Sequence, residues 1–140
     1  MRLVDRRSGI EVLDRDQCLA LLETDVVGRL AVIAGGSPAV FPVNYAMDGD
    51  AVVFRTAAGT KLDAGRRAPA CFEIDSFDRD GRTGWSVVVS GRLEEVTSFD
   101  GAVLERVKAL PVDVWAEGEK EHWMRLVPHV ITGRSVGPPP

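Results

Sequence analysis

Long apolar runs are missing from this chain. No stretch approaches the roughly 18 uninterrupted apolar residues a membrane-spanning helix needs, so no membrane partner is expected. Basic residues are in deficit too: 17 Lys and Arg stand against 21 Asp and Glu, a formal net charge of −4. That balance argues against a nucleic-acid surface, which ordinarily presents a basic patch. Cysteine is scarce; Cys18 and Cys71 cannot make a disulfide framework and read as free thiols in a reducing compartment. The two histidines, His122 and His129, are not at metal-ligand spacing and lie far in sequence from either cysteine, so no metal site is expected. Ser90 and Ser135 have no G-x-S-x-G context, which removes support for serine hydrolase chemistry. Gly35 and Gly36 make a turn rather than a G-x-G-x-x-G fingerprint. The opening M-R-L-V-D-R-R-S-G is charged and has no apolar core, so no signal peptide is expected and a cytoplasmic location is. Lysine occurs only at positions 61, 108 and 120, an arginine bias that suits a GC-rich bacterial genome and makes Lys61 conspicuous.

What is present is enough for one domain, expected over residues 1–140 with a flexible tail at 135–140. Asp14, with Gln17 three residues on, forms a capping-box signature before a helix whose apolar face is Cys18, Leu19, Leu21 and Leu22. Strands are expected at 28–34, 38–47, 52–54, 70–76, 85–96 and 123–132. Pro42 removes a ladder donor from the second of these, predicting a local gap or bulge where a ligand could reach backbone. Gly91 predicts a bulge in the fifth. A second helix is expected at 98–110, capped by Ser98 and stopped by Pro111, and a short one at 60–67. Residues 112–122 remain ambiguous. Six strands with short helices and many glycine turns favour a mostly antiparallel, closed barrel.

The most informative stretch is P-V-N-Y-A-M-D-G-D-A-V-V-F-R-T-A-A-G-T-K-L at 42–62. It reads as strand, tight turn at Asp48, Gly49 and Asp50, strand, then a corner opening a helix. Thr56, Gly59, Thr60 and Lys61 bring two hydroxyls, a pliable backbone and a cation to that corner. Helix N–H groups beginning near Thr60 would point the same way, an arrangement suited to a phosphate.

This block resembles the split-barrel flavin-binding proteins of the pyridoxamine 5′-phosphate oxidase-like superfamily, most of all their nitroimidazole-resistance-like branch, with its P-V-N-Y, hairpin, F-x-T-x-x-G-x-K-L pattern. Two further blocks match in order, G-W-S-V-V-V-S-G-R-L at 84–93 and L-V-P-H-V-I-T-G-R at 126–134. The resemblance implies a split β-barrel of about six antiparallel strands that forms a homodimer, holds FMN at the subunit interface and acts on a small-molecule substrate. It implies that Thr56, Thr60 and Lys61 contact the flavin phosphate, and that Arg55 serves either the phosphate or a dimer contact. It implies that the backbone of Pro42, Val43 and Asn44 follows the isoalloxazine edge, and that the strand opened by Trp85 and Ser86 closes over the cofactor, with Ser86 able to donate to a ring carbonyl.

Each assignment has a plainer counterpart. Lys61 could be a surface lysine, Asn44 a polar strand residue, Trp85 core or interface packing, and His129 an ordinary strand histidine rather than an acid–base group. Trp115 and Trp123 could form a lid, a dimer contact or peripheral core. No catalytic residue is identified. An FMN-dependent oxidoreductase therefore stands beside three alternatives: a deazaflavin-dependent reductase using Arg66 and Arg67 for an acidic tail, against Asp63; a non-catalytic flavin-binding or storage protein; and a barrel without cofactor.

Overall fold

A computed structural model describes residues 3–5, 8–57, 68–120 and 122–137. The strands are β1 (Leu3–Asp5), β2 (Ile10–Leu13), β3 (Val27–Ala34), β4 (Ser37–Asn44), β5 (Ala46–Asp48), β6 (Ala51–Thr56), β7 (Ala68–Asp78), β8 (Thr83–Val96) and β9 (His122–Val136). Helix α1 (Arg15–Leu22) follows β2; a short 3-10 turn (Ser98–Asp100) and α2 (Gly101–Lys108) follow β8. The strand pairs are antiparallel. The main path runs β1-β2-β9-β8-β7-β3-β4, and β6 joins β9 while carrying β5 on its other side. The C-terminal part of β9 pairs with β2 and its N-terminal part with β6, so this one long strand serves two partners along one edge. The sheet curls until β4 and β6 approach each other without pairing, which is the split of a split barrel.

Among the described residues, nine strands replace the six expected. The three additions, β1, β2 and β5, are only three or four residues long. The strand expected over 38–47 breaks at Tyr45, whose amide turns to Val26 O (3.1 Å) and whose hydroxyl donates to Leu22 O (2.6 Å). Its buried ring meets Phe72 edge-on at 4.7 Å. The capping box of α1 forms as expected, with Gln17 N donating to Asp14 Oδ1 at 2.8 Å and Asp14 N to Gln17 Oε1 at 2.9 Å. The second helix is capped by Thr97 rather than Ser98 and begins as a 3-10 turn. Strand β9 runs on to Val136, two residues into the segment expected as tail, and Ser135 is buried. The helix expected at 60–67 lies outside the described residues.

Gly91 marks a bulge in the β8–β9 pair: Ser90 faces Val130 and Gly91 faces Pro128, leaving His129 as the extra residue. A β-carbon at Gly91 would sit 2.0 Å from Val127 O, so any side chain there would force the strands apart. Alternation along β8 sends Val87 and Val89 into the main core with Leu30, Phe54, Phe72, Ile74 and Leu126. Val88 takes the opposite face. There Arg29 joins Glu73 (2.6 Å) and Asp75 (3.1 Å) across β3 and β7. Burial and the neighbouring Asp75 push the Glu73 carboxyl above its usual range, against the pull of Arg29. Both cysteines are free thiols, Cys18 buried and Cys71 half-buried. Among the described residues no helix is long and apolar enough to cross a membrane.

A second, smaller core fixes α2 to the sheet through Val107, Val53 and Val96. Its polar clasp is Asp48 in the β5–β6 hairpin, gripped by Arg106 of α2 at 2.7 and 2.9 Å and by Arg125 of β9 at 3.3 Å. The Arg106 hydrogen bonds, with the charge of Arg125, hold the Asp48 carboxyl below its ordinary range. A carboxylate depressed in the folded state contributes stability above its unfolded pKa and loses it as pH falls through the folded value. Asp48→Asn should therefore cost about 1–2 kcal/mol at neutral pH, a figure reduced because Arg106 is half exposed. Urea unfolding at pH 7 and near pH 2.5 should show the gap from wild type close at the lower pH. An unchanged gap would rule out the clasp as its source.

Candidate functional site

The split creates the site. Strand β5 pairs with Ala51, Val52 and Val53 of β6, and β6 runs on past it through Phe54 and Arg55. Facing them is the outer edge of β4, whose neighbour on the other side is β3. The β3–β4 hairpin turns through Gly35 and Gly36 and closes on Ala34 opposite Ser37. A two-residue hairpin closes on a hydrogen-bonded pair, and such pairs alternate with non-bonded ones. Pro38 and Pro42, opposite Ile33 and Arg29, then fall at non-bonded positions, where the missing N–H faces outward. The register passes Pro42 without the gap or bulge the sequence suggested. Along the open edge, Pro42 offers a carbonyl without a donor and Asn44 both an N–H and a carbonyl.

Between β4 and β6 lies a cavity of about 570 Å³. Pro42, Val43, Asn44, Arg55 and Thr56, five residues singled out in the sequence, all line it. Its remaining wall comes from the loop at 112–120, through Val114, Ala116 and Lys120, none of which the sequence reading had placed at the site. Its described lining carries two cationic side chains, Arg55 and Lys120, and no carboxylate, so an anionic ligand is favoured there.

Arg55 lies over the ring of Trp123, its cross-strand partner, with the guanidinium carbon 5.0 Å from the ring centre. This is the face opposite Phe54 and Thr56, as alternation predicts, and Arg55 is nonetheless among the residues lining the cavity. Its Nε is buried with no hydrogen-bond partner among the described residues. A buried donor left unpaired is costly, so this one is poised to donate to a ligand atom. Asn44 does more than sit on the edge. Its Oδ1 accepts from Trp115 N at 2.9 Å and its Nδ2 donates to Val26 O at 3.4 Å, tying the 112–120 loop to the end of β4.

Three groups of expectations end differently. Thr60 and Lys61, with Arg66 and Arg67, lie outside the described residues. Trp85 and Ser86 are not brought to this cavity. They stand on β8, with β7 and β3 between them and β4, opposite Ser76 and Asp75 on one side and Ser135 and Arg134 on the other. Trp85 packs against the main core, the plainer of its two readings. His129 sits exposed at the β9 bulge; His122 contacts Glu95 through Nδ1.

The comparisons with known proteins agree with this fold. The family model described as pyridoxamine 5′-phosphate oxidase matches residues 14–135. The structure of the FAD-binding protein from Mycobacterium smegmatis superposes with a TM-score of 0.78 at 33% identity, covering 89% of this chain and 97% of that one. A FAD-binding protein from Mesorhizobium loti follows at 0.71 and 25% identity, covering 96% and 98%. An uncharacterized Mycobacterium tuberculosis protein is 32% identical over 127 residues, 86% of this chain and 82% of its own length. The likeness to a 5-nitroimidazole antibiotic resistance protein from Bacteroides thetaiotaomicron, at 12% identity and a TM-score of 0.63, is one of fold alone. With the split barrel, the three sequence blocks and a family match over nearly its whole length, the chain belongs to the pyridoxamine 5′-phosphate oxidase-like family.

Proposed function

We propose that this protein binds a flavin nucleotide in the cavity between β4 and β6, and that it does so as a homodimer acting on a small molecule. The observation that carries the reading is that, among the described residues, the outer edge of β4 is unpaired and stands beside a guanidinium whose buried Nε has no partner. The Pro42 carbonyl and the Asn44 N–H form an acceptor–donor pair, complementary to the imide N–H and carbonyl of an isoalloxazine ring. Arg55, with Thr56 at the strand end and Lys61 beyond it, supplies the charge a phosphate needs. A bound flavin would contribute hydride chemistry at its N5; this chain binds, orients and shields. No side chain in the described lining is a committed acid or base, so binding without turnover is the simplest competing outcome.

FMN requires one phosphate anchor and a slot for the ring, which this corner offers. The two structural relatives described as FAD-binding make FAD the second candidate. A deazaflavin would need further cations for its acidic tail; Arg66 and Arg67, the residues able to supply them, are on one helix turn with Asp63 in the sequence reading. The absorption spectrum of purified protein should show the paired bands of an oxidised flavin; a single deazaflavin band would replace the FMN reading. Arg55→Gln should weaken FMN binding by about ten- to a hundredfold, the worth of a charge-assisted contact of about 1.5–3 kcal/mol. Equal affinities in a titration would remove Arg55 from the site.

The dimer is argued from the outer sheet face. Val40, Ile33 and Val130 are each more than half exposed there, around the Arg29–Glu73–Asp75 cluster and Val88. A second copy would cover them, and would be the route by which Ser86, on this same face, reaches a ligand. Sedimentation at micromolar concentration should give twice the chain mass. A species of one chain's mass alone would contradict an interfacial site.

A further inference from the structure

We propose that Lys120 is a ligand-binding residue: it and Arg55 form a two-cation clamp for the ligand's phosphate group or groups, and the loop that carries Lys120 is held over the cavity by Asn44. The proposal rests on the flavin reading of the cavity and adds to it a contact that neither the phosphate corner nor the β4 edge supplies.

The observations are these. Residues 112–120 have no regular secondary structure, yet they make one wall of the cavity. Their near end is anchored by Val112 in the small core, and β9 begins again at His122. Between those points, among the described residues, the Trp115 N–H to Asn44 Oδ1 bond is the hydrogen bond that joins the loop to the barrel. The other hydrogen bonds of residues 113–120 are internal: Trp115 Nε1 to Asp113 Oδ2 at 3.2 Å, and Lys120 Nζ to Glu117 O at 3.5 Å. At that distance the Glu117 carbonyl is a weak partner, so the ammonium is available to a stronger acceptor. Arg55 is fixed on Trp123 and offers a rigid fork; Lys120 rides a loop and offers a mobile point charge. Two such cations on separate elements, with no carboxylate in the described lining, suit a phosphate or pyrophosphate better than a neutral ring. Val114 and Ala116 line the cavity, while Trp115 between them is 62% exposed and does not. The loop therefore presents small apolar groups and one charge inward.

The test is a titration of FMN, FAD and riboflavin into wild type, Lys120→Gln and Lys120→Arg. The glutamine variant should bind both phosphorylated flavins about five- to twentyfold more weakly and riboflavin within twofold of wild type, and the arginine variant should recover most of the loss. Asn44→Ala keeps both charges but frees the loop. It should raise amide hydrogen exchange across residues 113–119 and weaken FMN by a similar factor. An equal effect of Lys120→Gln on riboflavin and FMN, or no effect on either, would overturn the clamp, and unchanged exchange in Asn44→Ala would overturn the latch. If wild type binds none of the flavins, the flavin reading fails by itself. The clamp is then decided by tryptophan fluorescence during titration with inorganic pyrophosphate: a response weakened in Lys120→Gln upholds it, and an identical or absent response overturns it.

Discussion

A strand that cannot be paired on one side decides much of this molecule. Pro38 and Pro42 take two outward amides from β4, so no neighbouring strand can complete a ladder there. The sheet curls to bring β4 near β6, and without that ladder the barrel stays split. Exposed strand edges are ordinarily a liability, because they recruit other strands. Here the same prolines that keep the edge open also guard it, and the loop at 112–120 covers what remains. The cavity follows from the pairing pattern rather than from any group of special side chains.

The opposite half of the barrel is held by different physics. Large buried side chains from β3, β7, β8 and β9 form one core, and Tyr45 bends the chain out of β4 by bonding to Leu22 and meeting Phe72 edge-on. A separate apolar patch and the Asp48–Arg106–Arg125 clasp hold α2 beyond the β5–β6 hairpin. The Leu110–Val112 bend that leaves α2 leads directly into the cavity's loop wall. Packing at α2 thus sets where that wall starts.

Much of the fold was legible because local rules agreed with it. Asp14 and Gln17 capped their helix, Gly49 took the positive φ of the hairpin, and Gly91 marked a bulge at the position where a β-carbon would strike Val127. The five residues of β4 and β6 singled out in the sequence line one cavity because a strand–turn–strand pattern keeps them in register. What the sequence did not reveal depends on contacts distant along the chain. Asn44 holding Trp115 spans 71 residues, and nothing near either residue announces it. Lys120 could have been flagged by the rarity of lysine, the signal that drew attention to Lys61, but it sits in an irregular stretch with no period to orient it. Trp85 and Ser86 went to another part of the sheet because sequence order does not reveal how many strands intervene. The break at Tyr45 was missed because the nearly continuous apolar run P-A-V-F-P-V-N-Y-A-M at 38–47 continues through it.

The central claim is that the open edge of β4 is the cofactor's binding edge. A crystal structure of the protein grown with FMN or FAD tests it most directly. The account predicts the ring's imide side against the backbone of Pro42 and Asn44, with a phosphate oxygen within hydrogen-bond distance of Arg55. A flavin seated elsewhere on the barrel, or a β4 edge paired with a strand of another molecule in the presence of the flavin, would contradict it.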